Sequence, residues 1–377
     1  MNSTTSTRRA AWTMLPALLL MAGMSAASAA PIPPPLPRNL QALMYSTMPS
    51  TTAHSPEMAL DGDQKSYFKS VYDMNDNDIF MVMFSKPISV KSLRIVTGNT
   101  DGTNAVTNAM VETSGNGIAF SKAVDFNANG AASANLDGAI VRAIRIRLNK
   151  NTELPSLVVR EITIDSPAKI RGVKQGPGRG FVDYSEAPDV ADWAKRMETQ
   201  MDSYWAKTAE ILHSDNFYTP NMVRVFYRDG DGVAGTDNGE MVVNAKWARA
   251  HDDDTGLGVH EMTHVIQATP YEPVWMVEGI ADYIRWVKFE PEHFHPRINV
   301  ERSKYNDSYQ TTATFLGWCT NHYDDKLVTQ LNDAVRFGKY NDGLFKEYCG
   351  KDVNTLWAEF IADYKAAPDK ILAKRGA

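Results

Sequence analysis

Length and composition are those of a water-soluble chain large enough for two domains. It has 377 residues, of which 43% are hydrophobic, 10% aromatic and 22% charged, which excludes a disordered chain and a polytopic membrane protein. With 39 Lys and Arg against 45 Asp and Glu the net charge is −6, so no nucleic-acid partner is expected. Two cysteines exclude a disulfide framework and a Cys-rich zinc module, which leaves the spacing of the eight histidines as the informative feature.

The N-terminus has the pattern of an export signal. Arg8 and Arg9 precede a mostly apolar run over 10–24, and small residues then lead to Ala29. This pattern predicts a signal peptide over 1–29; a membrane anchor is the alternative, but the run is shorter than the about 20 residues that a span needs. Cleavage would remove two arginines and no acid and change the net charge to −8. We expect a protein exported to the periplasm or the extracellular space, by the general or the twin-arginine route, with no membrane span in the mature chain.

A β-sandwich is predicted over 51–166, after a proline-rich N-terminal segment over 30–50. Turn-forming residues separate short alternating runs, which cover 79–84, 92–96, 143–148 and 158–164. In the third run, isoleucine and leucine alternate with Arg145 and Arg147. That alternation predicts an antiparallel sheet with one face in water.

This region resembles the discoidin-like, galactose-binding sandwich family. The resemblance rests on four motifs, which are ALDGD at 59–63, VTG at 96–98, VETSGNG at 111–117 and VREITI at 159–164. It implies that Asp61 and Glu161 lie near a structural Ca²⁺, with metal-free surface acids as the alternative. It also implies a domain that binds carbohydrate, with a spacer or a packing partner as the alternative.

Glycine and proline are concentrated over 167–181, which predicts a linker to a C-terminal domain over 182–377. The apolar residues there change to helical spacing, and an amphipathic helix is predicted over 189–212. Two strands and a loop between them follow, over 222–227, 240–244 and 228–239. The loop is rich in aspartate, but valine and alanine occupy the fifth and sixth positions of its EF-hand-like stretch. A solvated hairpin loop is therefore favoured over a calcium site.

The strongest chemical signal is the sequence HEMTH at 260–264. On a helix, His260 and His264 lie on one face, so both imidazoles can reach one Zn²⁺ while Glu261 activates the zinc-bound water. The alternative is a core helix whose histidines merely satisfy hydrogen bonds. The apolar residues around this helix weaken that alternative, because burying unpaired polar groups among them would cost free energy.

A catalytic zinc ion needs a third protein ligand. The metzincin extension requires Gly and His at positions that hold Gln267 and Pro270, so it is excluded. A second predicted helix carries Glu278, which follows His264 after 13 residues, enough for the chain to turn back to the metal. We predict that Glu278 is the third ligand and that Asp282, one turn later, hydrogen-bonds a ligand imidazole. A pair of solvent-facing acids is the alternative.

Residues from about 182 to 365 resemble the basic secretory protein family, a plant and bacterial peptidase-like family with a gluzincin-type zinc signature. The matching motifs are GVHEMTHVIQ at 258–267, WMVEGIADYIR at 275–285, YQTTATFLGW at 309–318 and LWAEF at 356–360. The resemblance implies a zincin fold in which an extended peptide docks on an edge strand above the HExxH helix. We choose 240–244 for that strand. The family name records basic members, whereas this chain is acidic, which bears on substrate charge and not on the zinc chemistry.

The expectation is therefore an α+β multidomain zinc metalloendopeptidase acting on proteins, peptides or glycoproteins. Tyr309 is the candidate donor to the developing oxyanion, with a tyrosine packed at a helix start as the alternative. His293 and His295 are expected to be loop residues, and whether Cys319 and Cys349 form a disulfide is left open. The alternative function is a glycan-binding or cell-surface interaction protein with an inactive peptidase-like domain. Against it, every residue type that the zinc chemistry needs is present.

Overall fold

The structure is a computed structural model that describes residues 39–237, 239–269 and 272–373. The predicted signal peptide over 1–29 lies outside these residues. The strands are β1 (Gln41–Ser46), β2 (Ser50–Thr51), β3 (Phe68–Lys69), β4 (Phe80–Thr97), β5 (Ala109–Ser114), β6 (Ser121–Asp125), β7 (Ala131–Leu148), β8 (Val158–Asp165), β9 (Gly172–Gln175), β10 (Arg179–Asp183), β11 (Phe217–Tyr218), β12 (Met222–Arg228), β13 (Ala234–Asp237) and β14 (Glu240–Asn244). The α-helices are α1 (Ala191–Ile211), α2 (Ala245–Ala250), α3 (Leu257–Gln267), α4 (Val274–Asp282), α5 (Tyr309–His322), α6 (Leu327–Arg336), α7 (Gly343–Cys349) and α8 (Val353–Ala366). A π-helical segment, Tyr283–Phe289, continues α4. In the described part of the chain, no helix combines the length and the apolar character that crossing a bilayer requires.

The N-terminal region is an antiparallel β-sandwich, as predicted. Its eight-stranded sheet has the order β3-β8-β4-β7-β5-β6, and β1 pairs with both β4 and β9. The first residues of β4 pair with β1, and the last residues of β4 pair with β8. Strand β7 pairs with β4 along most of the length of β4. Phe80 and Val82 of β4 face Ile146 and Ile144 of β7, and all four side chains lie in the core.

The sheet uses residues on both sides of the predicted range 51–166. Strand β1 lies in the segment predicted to be a proline-rich spacer, and β9 and the first residues of β10 lie in the predicted linker over 167–181. The glycines of that segment reflect close packing. A Cβ atom on Gly176 would lie 2.3 Å from the Tyr45 ring, and one on Gly178 would lie 2.0 Å from the Trp205 ring. The backbone can pass these rings only without a side chain.

The face of β7 that carries Arg145 and Arg147 is not open to water, which corrects the prediction. Their side chains are 18% and 31% exposed, and both pair with Glu112. On the same face, Met81 of β4 lies opposite Arg145 and belongs to a buried apolar cluster that includes Met222 of β12. The C-terminal region therefore covers this face of the sandwich.

The C-terminal region combines helices with a four-stranded sheet of order β10-β12-β14-β13. Strands β10, β12 and β14 are parallel, and β13 is antiparallel to β14. The predicted amphipathic helix is confirmed as α1. Its apolar face is buried in the core of this region and consists of Trp193, Ala194, Met197, Met201 and Trp205.

The edge strand predicted at 240–244 is wrong, because β14 occupies the interior of the sheet between β12 and β13. Part of the segment predicted as a hairpin loop, 228–239, forms β13 and supplies the edge instead. The sequence of β13 is AGTD, in which Thr236 is the one β-branched residue and alanine, glycine and aspartate are depleted in strands. Its pairing with β14 creates the strand, so local pattern alone could not predict it.

Candidate metal centre

Helix α3 presents both histidines of the HExxH sequence to a cavity of about 980 Å³. Most of the helix is buried in the core, whereas His260 and His264 are only partly buried. Helix α4 lies beside α3, and its residues Glu278 and Asp282 line the same cavity. The four predicted residues are therefore brought together.

Three atoms converge in this cavity. His260 Nε2 lies 3.2 Å from His264 Nε2 and 3.2 Å from Glu278 Oε2, and His264 Nε2 lies 3.6 Å from Glu278 Oε2. Ligands about 2.0–2.2 Å from a tetrahedral zinc ion are roughly 3.3 Å apart. The spacing fits one small ion, and these residues form the group of described residues that could hold a metal.

The other ring nitrogen of each histidine has an acceptor. His260 Nδ1 lies 2.7 Å from Asp282 Oδ1, and His264 Nδ1 lies 2.9 Å from Gln267 Oε1. Gln267 Nε2 donates to the Val277 carbonyl at 3.0 Å, which orients the amide so that its oxygen faces the imidazole. Both Nδ1 atoms therefore donate, and both Nε2 atoms direct lone pairs toward the third ligand atom. The two Nε2 atoms and Glu278 Oε2 are then three acceptors close together, and a cation or a proton must lie between them.

Without a metal ion, a proton takes the place of the cation. Burial lowers the pKa of His260, but hydrogen bonds to Asp282 and Glu278 outweigh it and raise the pKa to about 10. Burial raises the pKa of Glu278, but hydrogen bonds from His260 and His264 outweigh it and hold the pKa at about 2. A metal ion must therefore displace a proton from His260 at neutral pH.

Glu261 lines the cavity but is not one of the three converging residues. It is 8% exposed, and its Oε2 accepts a hydrogen bond of 2.7 Å from Thr236 Oγ1. Thr236 belongs to the edge strand β13, so this bond connects the edge strand to α3. The carboxylate of Glu261 is thus fixed beside the candidate metal ligands.

Tyr309 begins α5 and lines the same cavity. It is 55% exposed, and its ring lies nearly parallel to that of His260, with the centroids 6.3 Å apart. Its φ is 45° and that of Ser308 is 65°, so both residues have left-handed backbone. Burial and the charge of Glu278 raise the pKa of Tyr309, so its hydroxyl keeps its proton at neutral pH.

The remaining histidines and cysteines of interest lie apart from this group. His293 and His295 are exposed and do not belong to the converging set. Cys319 and Cys349 are both free thiols and both buried. None of the four contributes an atom to the candidate metal centre.

Asp61 and Glu161 lie near each other in the sandwich domain. Burial raises the pKa of Glu161, and the negative charge of Asp61 raises it further. Glu161 Oε2 is buried without a hydrogen-bond partner among the described residues. Asp61 accepts hydrogen bonds from the Asp63 amide at 2.9 Å and from Ser66 Oγ at 2.7 Å. The two carboxyl groups are not part of the group that could hold a metal by the spacing of its atoms.

Sequence reasoning missed two residues of the site, Gln267 and Thr236. Gln267 was given no role in the predicted site, although its position three residues after His264 places both on one helix face. That spacing could have indicated their hydrogen bond. Thr236 had no such signal, because it meets Glu261 only when β13 packs against α3.

Fold and site define a protein in which a β-sandwich precedes an α+β region with a His-His-Glu group on two helices. The family described as "Peptidase of plants and bacteria" (BSP) matches residues 183–360. This match confirms the resemblance predicted for the C-terminal region, and it includes His260, His264 and Glu278. No curated protein matches the chain significantly.

Solved structures similar to part of the chain include carbohydrate-binding modules. CBM32-1 from a family 31 glycoside hydrolase of Clostridium perfringens is 19% identical, and the match covers 34% of this chain and 95% of that chain with a TM-score of 0.28. A CBM32 module of the same organism, in complex with GalNAc-β-1,3-galactose, is 11% identical, covering 34% and 96% with a TM-score of 0.28. A fucose binding module of Streptococcus pneumoniae is 17% identical, covering 33% and 89% with a TM-score of 0.27.

Proposed function

We propose that this protein is an exported zinc-dependent metallopeptidase that hydrolyses peptide bonds in proteins or glycoproteins. The observation that carries the proposal is the convergence of His260 Nε2, His264 Nε2 and Glu278 Oε2 within 3.6 Å of one another. Two imidazoles and one carboxylate are a donor set of catalytic zinc sites, which keep a fourth position for water and substrate. The family match over 183–360 supports a peptidase.

The residues around the converging atoms have separate roles in this mechanism. Zinc bound there would polarise the scissile carbonyl and lower the pKa of a water molecule. Glu261 accepts a proton from the attacking water and delivers it to the leaving amine, while Thr236 orients its carboxylate. Asp282 and Gln267 keep the proton of each ligand imidazole on Nδ1.

Tyr309 is proposed to donate a hydrogen bond to the oxyanion that develops during attack. Its ring is 6.3 Å from that of His260, and its raised pKa keeps the phenol protonated. The partly exposed ring faces the cavity that the substrate would enter. A donor aimed at developing charge is the usual complement of a metal in such sites.

An extended peptide is proposed to bind along β13. Among the described residues, β13 pairs with β14 on one side, and no strand pairs with its other edge. Ala234, Gly235 and Thr236 of this strand line the cavity that contains the converging group. A substrate that adds as a further strand would satisfy main-chain hydrogen bonds and pass over that group.

Two proposals concern the sandwich domain. Asp61 and Glu161 are proposed to hold a structural Ca²⁺, supported by the buried and unpartnered Glu161 Oε2; an unfolding temperature that Ca²⁺ does not raise would refute this. Carbohydrate binding by this domain also remains a proposal, and a glycan array that captures no sugar would refute it. The alternative of a glycan-binding protein with an inactive peptidase-like domain has less support, because the three converging atoms and Glu261 are all in place.

Export is proposed from the sequence pattern over 1–29. N-terminal sequencing of protein recovered outside the cytoplasm should begin at Ala30. A chain that retains Met1 there would refute signal-peptide cleavage.

The test of the proposed function is cleavage of a peptide library, read by mass spectrometry. The full-length protein loaded with zinc should cleave peptides, lose this activity on chelation and regain it with added zinc. Glu278→Gln should lose both zinc and cleavage, and the exposed residue Glu292 gives the matched control, Glu292→Gln. A wild-type protein without near-stoichiometric zinc, or cleavage that is insensitive to chelation, would refute the proposal.

A further inference from the structure

A second cavity, of about 470 Å³, adjoins the candidate metal centre. It shares the lining residues Thr236 and His264 with the larger cavity, so it lies next to the converging group. The larger cavity is lined by the C-terminal domain, whereas Tyr72 and Asp73 of the sandwich domain line the second. Residues of both regions therefore line the second cavity.

Hydrogen bonds between the domains fix the sandwich in this position. The Tyr72 hydroxyl donates to the Ala268 carbonyl at the end of α3 at 2.9 Å. The buried side chain of Asn221 accepts from the Ser46 amide at 2.8 Å and donates to the Met44 carbonyl at 2.9 Å. Since these groups would be left unpaired by separation, the wall of the second cavity has a defined geometry.

The wall of this cavity is negatively charged. Asp73, Asp78 and Asp237 line it, and no described lining residue is a lysine or an arginine. Asp78 accepts a hydrogen bond of 2.7 Å from Thr47 Oγ1 and another of 3.0 Å from the Asn75 amide. The side chains of Asp73 and Asp237 have neither a hydrogen bond nor an ion pair within the described residues. Two carboxylates are thus available to a ligand.

Two arginines near the cavity are already engaged. Arg224 lies near Asp78 and forms an ion pair of 2.5 Å with Glu240. Arg336 lies near Tyr72, but it is 2% exposed and donates to backbone carbonyls. Neither arginine lines the cavity.

The rest of the lining is largely apolar and includes Met48, Val265 and Val277. Apolar walls beside free carboxylates suit a side chain with a long aliphatic stem and a cationic head, because the stem packs against the walls while the head pairs with the carboxylates. We propose that this cavity is a specificity pocket, built jointly by the two domains, that binds a lysine or arginine side chain of the substrate peptide. This inference rests on the proposed function, since the peptide is the substrate of the adjoining metal centre.

The test uses the full chain loaded with zinc and the variants Asp73→Lys and Asp237→Lys. Asp165→Lys is the matched control, because Asp165 is an exposed aspartate of the same sandwich domain outside the cavity. Peptides that differ by lysine or glutamine at one position near the scissile bond are compared by kcat/KM. The wild-type protein should prefer lysine about tenfold or more, as expected for a charge-assisted contact.

Each pocket variant should reduce that preference about tenfold by lowering kcat/KM for the lysine peptide, with zinc content close to wild type. The control should keep the wild-type preference. A wild-type protein that prefers neutral, acidic or glycosylated residues at every position would overturn the pocket. A lysine preference that survives both substitutions would do the same.

Binding measurements separate this inference from the proposed function. In the zinc-loaded Glu261→Gln background, calorimetry gives the Kd of the lysine and glutamine peptides without turnover. Tighter binding of the lysine peptide that is lost in Asp73→Lys supports the pocket, whether or not the wild-type protein cleaves peptides. Failure of the wild-type protein to cleave any peptide refutes only the proposed function. Equal Kd values overturn the pocket even where wild type cleaves peptides.

Discussion

Asp282 is predicted to control metal affinity through one hydrogen bond. His260 Nδ1 lies 2.7 Å from Asp282 Oδ1, and the two side chains are 12% and 7% exposed. The bond is therefore short, charge-assisted and little screened by water. Asp282→Asn keeps the shape but removes the charge, and its amide can donate to Nδ1, which would move the imidazole proton to Nε2. Asp282→Ala removes the acceptor altogether.

The expected decrease in zinc affinity follows from the loss of this hydrogen bond. Partners of ligand imidazoles typically contribute about 10- to 100-fold in metal affinity. We expect zinc binding to weaken about tenfold in Asp282→Asn, which is about 1.4 kcal/mol, and about 100-fold in Asp282→Ala. Competition with a chromophoric chelator near neutral pH measures the affinity, and Asp192→Asn is the control because the Asp192 side chain is 91% exposed. If Asp282→Ala binds zinc as tightly as this control, the hydrogen bond does not set the tautomer of His260.

Three further predictions concern protons, stability and the oxyanion. Because the pKa of His260 without metal is about 10, this histidine is protonated below that pH and each zinc ion must displace a proton. Zinc affinity should then rise about tenfold per pH unit from roughly pH 7 to 9. Calorimetry in buffers of different ionisation enthalpy should detect one proton released for each zinc ion bound, and zinc binding without proton release would contradict this prediction. Arg336→Leu should lower the free energy of unfolding by about 3 kcal/mol, because the buried guanidinium donates to the carbonyls of Ile266, Gln267 and Leu212. Urea denaturation measures this against the exposed control Arg302→Leu, and a loss below about 1 kcal/mol would be inconsistent with it. Tyr309→Phe should reduce kcat about 100-fold with little change in KM, whereas an unchanged kcat would leave the ring a packing role only.

The candidate metal ligands could be predicted from the sequence because the geometry that joins them is local. His260 and His264 are four residues apart on one helix, and Glu278 and Asp282 are four apart on the next. The helical repeat therefore places each pair on one face before any tertiary contact is known. Thr236 is different, because a residue on a short strand meets α3 only through the packing of the sheet.

The errors in the predicted fold also arise from tertiary contacts that local sequence pattern does not show. The alternation of Arg145 and Arg147 correctly predicts a strand, but it cannot show that a second domain covers their face. Gly176 and Gly178 have the composition of a linker, yet they occur where the backbone passes Tyr45 and Trp205. In each case local pattern gives the backbone state, whereas the partner is determined by contacts distant in sequence.

The central claim is that Glu261 serves a zinc site as proton acceptor in peptide-bond hydrolysis. The direct measurement is library cleavage by wild type and Glu261→Gln, with zinc content determined on the same samples. The glutamine can still accept the hydrogen bond from Thr236 Oγ1, so the site should keep its structure. We predict one zinc ion per chain in both proteins and a kcat at least about 100-fold lower in the variant. Equal cleavage by the two zinc-loaded proteins would contradict this account.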